Sequence, residues 1–99
     1  MILKQGVKIA NLQPQLIIAI IVANDVYKAH SQELVITSVD DSKHGATTLH
    51  GKGCAFDCRT SYFLNGEGQR VANEIRAKID EDFDVVYEGD HIHIEYDPR

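Results

Sequence analysis

The chain has 99 residues, 43% of them hydrophobic, which suits one compact domain (residues 1–99) with a single core and leaves no room for a second. A net charge of -5 and a pI near 5.4 leave no basic stripe with interleaved aromatics, which argues against nucleic acid or an anionic membrane surface as partner. The longest apolar run, Leu16 to Ala23, is far short of the ~20 residues that span a bilayer, and Met1 to Gly6 lack the features of a signal peptide. The expectation is a product made in the cytoplasm with no transmembrane segment.

In chain order, Asn11-Leu12-Gln13-Pro14 opens the first element, with Asn11 or Gln13 as a candidate cap and Pro14 tolerated in a first turn. From Gln15 to about Ala29, Leu16, Ile17, Ile20, Ile21, Ala23, Val26 and Tyr27 recur at three-to-four spacing, predicting a helix with a wide core-facing stripe. Glu33 to Ser38 is rich in β-branched residues and reads as a strand. Val39 to Gly53 is polar and glycine-containing, and its length of about 15 residues favours a functional loop.

Cys54 to Arg59 alternates as a second strand, with Cys54, Phe56 and Cys58 on the inner face and Ala55, Asp57 and Arg59 on the other. Four positions along a strand separate the two cysteines by about 13 Å at ~3.3 Å per residue, too far for a disulfide, and both read as core residues. After Asn65-Gly66-Glu67, Val71, Ile75 and Ile79 mark a second helix from Gln69 to Ile79. The acidic run Asp80-Glu81-Asp82 reads as a solvated turn. Phe83 to Tyr87 and His91 to Tyr96 form two final strands around the turn Glu88-Gly89-Asp90. Together these elements predict an α+β domain: a small, mostly antiparallel sheet of about four strands, covered on one side by two helices.

The apolar residues of the last strand, Ile92, Ile94 and Tyr96, account for its core face, which leaves His91, His93 and Glu95 together on the other. Asp57 likewise projects opposite Phe56, so an aspartate and two histidines converge on the uncovered face if the two strands are near one another. His50 precedes Asp57 across a segment containing Gly51 and Gly53, which lets the chain turn so that both side chains reach one ion. Two histidines and a carboxylate, with one position left to water, are the ligands of a hydrolytic zinc site, whereas a structural zinc is normally closed by four protein ligands.

The joint pattern, His-x-x-Gly-x-Ala-x-Asp over His50, Gly53, Ala55 and Asp57, then Asp-x-x-His within His-x-His over Asp90, His91 and His93, resembles the zinc D,D-carboxypeptidases and L-alanyl-D-glutamate endopeptidases that cut peptidoglycan peptides. Thr48 stands where that family usually has serine. Hedgehog signalling domains look similar in fold, and the order of elements resembles the small phage endolysin members over most of the chain.

The resemblance implies a Hedgehog/D,D-peptidase-like fold and one zinc ion held by His50, Asp57 and His93. Asp90 would take the proton of the attacking water and pass it to the leaving amine, and His91 would stabilise the tetrahedral intermediate. An alternative register makes Glu88 the base and His91 the ligand, leaving His93 auxiliary. Lys43 and His44, in the loop before the first ligand, are candidate substrate contacts. The carboxypeptidase members usually carry an arginine in that loop to pair with the substrate's terminal carboxylate; its absence here favours an endopeptidase.

The function expected is zinc-dependent hydrolysis of peptidoglycan stem peptides by a phage lytic enzyme acting on the cell wall, with oligomeric state left open. The alternative is a virion-associated structural or interaction module that holds zinc without useful turnover.

Overall fold

The computed structural model describes residues 1–7, 14–40 and 55–98. Its elements are β1 (Ile2–Leu3), α1 (Pro14–Ala29), β2 (Val35–Asp40), β3 (Ala55–Arg59), α2 (Glu67–Lys78), β4 (Phe83–Tyr87) and β5 (His91–Tyr96). The five strands form one mixed sheet in the order β1-β2-β3-β5-β4; β1 pairs parallel to β2 and the other neighbours are antiparallel. The α+β class is as expected, but the sheet has five strands rather than about four.

The added strand is β1. Its two residues are too few to show a period of two, and it is held by backbone bonds from Ile2 N to Leu34 O and from Lys4 N to Ile36 O, each 2.8 Å. A parallel partner needs a crossover connection, and α1 lies in that connection.

Both helices contribute to the core on one face of the sheet. Leu16, Ala19, Ala23, Val26 and Tyr27 of α1 and Val71, Ala72 and Ile75 of α2 meet Ile36, Phe56, Cys58, Val85, Ile92 and Ile94 in one cluster. Each of the Leu, Val, Ile and Phe side chains, fully buried, contributes roughly 1.5–3 kcal/mol before conformational entropy is set against it. The Tyr27 hydroxyl, at the centre of the cluster, donates to Arg59 O at 2.8 Å, which satisfies its one polar atom. Cys58 is fully buried beside it, as its parity implies, and burial holds its thiol well above the usual cysteine range. Cys54 lies outside the described residues.

Two local expectations are corrected. Ile17 and Ile21, assigned to the core-facing stripe, are 47% and 56% exposed and lie with Ile18 on the outer side of α1. This helix is apolar nearly all round, so periodicity marked a stripe wider than the sheet covers. The strand expected to end at Ser38 continues to Asp40, with a register shift between Ile36 and Ser38. This bulge at Thr37 breaks the alternation but brings Val39 opposite Phe56, where it packs against the core.

At the end of α1, His30 ties the two helices together. Its Nδ1 lies 2.9 Å from Glu67 Oε2 and its Nε2 2.8 Å from Glu74 Oε2. The bonds to Glu67 and Glu74 outweigh partial burial and raise the His30 pKa above the ordinary imidazole value, while Glu67 is lowered in return. Gly66, at φ 82°, makes the left-handed turn that starts α2 with Glu67 in place.

Ile92→Ala is expected to destabilise the fold by about 2–5 kcal/mol, read from the urea midpoint, because the site is fully enclosed. A histidine raised above its unfolded pKa of ~6.5 stabilises fully below that pH, and the contribution is lost as pH rises through the folded pKa. His30→Gln should therefore lower unfolding free energy at pH 6 more than at pH 9; an equal loss at both would show that the clamp is not charged.

Candidate metal centre

β3 and β5 are direct neighbours, and their antiparallel register places Asp57 opposite His93, with Cys58 opposite Ile92 and Phe56 opposite Ile94 on the core side. The row across the open face runs Ser38, Asp57, His93, Val86. The convergence expected from strand parity is therefore present for Asp57, His91 and His93.

His93 Nδ1 lies 2.8 Å from Asp57 Oδ1, and the same oxygen lies 3.8 Å from His91 Nε2. One carboxylate oxygen thus faces one nitrogen of each imidazole. The far nitrogens are also occupied: His93 Nε2 is 3.0 Å from Glu95 Oε1, and His91 Nδ1 is 2.6 Å from Asp90 Oδ1. Asp57, His91 and His93 side chains are 25%, 32% and 31% exposed, open to solvent yet partly shielded from it. Burial works against the charged form of His93, but hydrogen bonds to Glu95 and Asp57 outweigh it and hold its pKa above the ordinary imidazole value.

The local sequence explains this placement. Gly89 adopts φ 98° in the three-residue turn, and Glu88 N donates to His91 O at 2.8 Å, closing the hairpin and setting the register of β5. Asp90 lies at the exposed end of that turn, with 88% of its side chain accessible. Its carboxylate contacts His91 rather than the Asp57–His93 pair. Glu88, the base of the alternative register, is exposed, and that register's ligand, His91, is the histidine further from Asp57.

His50, Lys43 and His44 lie outside the described residues. Among the described residues no group of three His, Cys, Asp or Glu forms a metal-binding cluster, so a three-ligand site requires a donor beyond them. A cleft of about 570 Å³ adjoins the pair, with His93, Glu95, Asp84, Val86, Arg76 and Ile79 in its wall. The Arg76 guanidinium is occupied by Asn73 Oδ1 and the Val85 carbonyl. Glu95, hydrogen-bonded to His93, is the neighbouring side chain to which sequence reasoning assigned no role; its shared parity with His91 and His93 was the available signal.

No helix among the described residues is long and apolar enough to cross a membrane. No protein-family model, curated protein or solved structure matches the chain.

Asp57→Asn keeps the shape of the pair and removes its charge. In the metal-free protein it should shift the His93 titration midpoint down, as followed by ring-proton NMR. An unchanged midpoint would mean that Asp57 and His93 do not interact in solution.

Proposed function

We propose that this protein is a zinc-dependent peptidase that hydrolyses peptide bonds in the peptide stems of peptidoglycan, acting as a phage lytic enzyme. The observation that carries the reading is the approach of His93 Nδ1 and Asp57 Oδ1 to 2.8 Å on an open sheet face, beside a second histidine. An imidazole nitrogen and a carboxylate oxygen are ordinary zinc donors, and their adjacency fits one ion. His93 and Asp57 would hold it together with His50. When bound, zinc supplies a Lewis acid for the scissile carbonyl and lowers the pKa of water toward ~7.

The remaining chemistry falls to the chain's own side chains. Asp90, with an exposed side chain, would accept the proton of the attacking water and return it to the leaving amine. His91, with Nδ1 held by Asp90 and Nε2 on the side of Asp57, would donate to the oxyanion of the tetrahedral intermediate. The cleft beside His93 and Glu95 offers an extended peptide apolar contact at Val86 and Ile79. The sequence from Val39 to Gly53 contains no arginine for a terminal carboxylate, which favours an endopeptidase over a carboxypeptidase.

One observation favours the second reading, a zinc-holding virion or interaction module: the Asp90 carboxylate is bound to His91 and not directed at the Asp57–His93 pair. Metal analysis and mass spectrometry of digested cell wall decide between them. The peptidase should carry one zinc per chain and release cleaved stem peptides, and Asp90→Ala should lower the rate by roughly 10²–10⁴-fold with zinc retained. Stoichiometric zinc without any Asp90-dependent cleavage would favour the module; absence of zinc would remove both.

A further inference from the structure

The His93 ring has two nitrogens and two carboxylate neighbours, and the chain places them unequally. Asp57 reaches Nδ1 from the adjacent strand, directly across the register, while Glu95 reaches Nε2 from the same strand, two residues on. The two carboxylates therefore lie on opposite sides of the ring. Glu95 is on the far side from Asp57, so it is not placed to share an ion with Nδ1 and Asp57, nor to take a proton from water bound there.

We propose that Glu95 is a positioning residue that accepts the Nε2–H of His93 and thereby fixes Nδ1 as the nitrogen presented, beside Asp57, to the metal. The inference rests on the zinc reading and specifies which atom of His93 does the binding and what selects it. A neutral imidazole carries its single proton on either nitrogen, and only the unprotonated one has a lone pair for a metal. A carboxylate on Nε2 favours the tautomer with the proton there, orients the ring and raises its basicity toward an ion at Nδ1.

The surroundings are consistent with this role. Glu95 is 33% exposed and Ala55 is its partner on β3, so no cation competes for the carboxylate from that position. Asp84, its partner on β4, is also acidic, and Arg76 in the same cleft is occupied by Asn73 and Val85. Fixed in this way, His93 loses little conformational freedom when it binds.

The test is a zinc competition titration with a chromophoric chelator on wild type, Glu95→Ala and Glu95→Gln, together with long-range ¹H–¹⁵N NMR of the His93 ring in the zinc-loaded protein. Wild type should show Nδ1 bound and Nε2 protonated. Glu95→Ala should bind zinc about 10–100-fold more weakly, with the metal-free protein still folding cooperatively. Glu95→Gln retains an acceptor oxygen and should recover most of that loss.

Equal affinity in wild type and Glu95→Ala, or a zinc-loaded wild type bound through Nε2, overturns the inference and leaves the peptidase proposal standing. Weaker binding in Glu95→Ala with no peptidoglycan cleavage by wild type upholds the inference and removes the hydrolytic reading. A wild type that binds no zinc removes both.

Discussion

The pairing register of β3 with β5 is the constraint on which the rest of the structure depends. In a sheet with one buried face, side chains alternate with a period of two, and a slip of one residue sends every side chain to the opposite face. Here a slip of β5 would bring His91, His93 and Glu95 against the helices and leave Ile92 and Ile94 in solvent, and a slip of β3 would do the same to Asp57 and to Phe56 and Cys58. The four apolar residues are among the most buried in the molecule, so core packing that has no chemical purpose of its own holds Asp57 opposite His93. The short hairpin around Gly89 adds a second restraint by pinning β5 against β4.

The parts of this arrangement visible in sequence are those governed by parity. The inward set of Phe56, Cys58, Ile92 and Ile94 and the outward set of Asp57, His91, His93 and Glu95 follow from alternation in two short strands, and both strands have clear boundaries. Sequence periodicity carries no information about which strands are neighbours, so the direct pairing of β3 with β5 could only be an assumption. The β1 strand was hidden because two residues cannot express a period. The continuation of β2 was hidden because the bulge at Thr37 reverses the alternation on which strand assignment depends. In α1 the failure ran the other way: Ile17, Ile18 and Ile21 fit a hydrophobic stripe, but a sheet of this width covers only the side marked by Leu16, Ala19, Ala23 and Val26.

His30 and His93 have a similar environment and different consequences. Each imidazole has a carboxylate at both nitrogens, and each is raised above its ordinary pKa. At His30 both carboxylates come from one face of α2, the nitrogens point in opposite directions, and the result is a link between helices. At His93 one of the carboxylates, Asp57, also lies 3.8 Å from a nitrogen of a second imidazole, His91, so its carboxylate is shared between two rings on the open face of the sheet. The difference lies in the partners and not in the histidine, which explains why a lone histidine in sequence is weak evidence of chemistry and a pair with shared parity is stronger.

The carboxylates around His93 bear on charge as well as geometry. A site on a chain of net charge -5, with Asp57 and Glu95 against one ring and Asp90 against the next, favours positive charge at that position whatever its source. In the metal-free protein a proton on His93 answers that field, with Asp57 beside Nδ1 and Glu95 beside Nε2. A dication at the same place would meet the same field and the same two donors, and under the proposed role of Glu95 the Nδ1 proton would leave while the Nε2 proton stayed. On the zinc reading proton and metal would compete for one position, so the field that raises the His93 pKa is also the field that would draw in the cation replacing the proton.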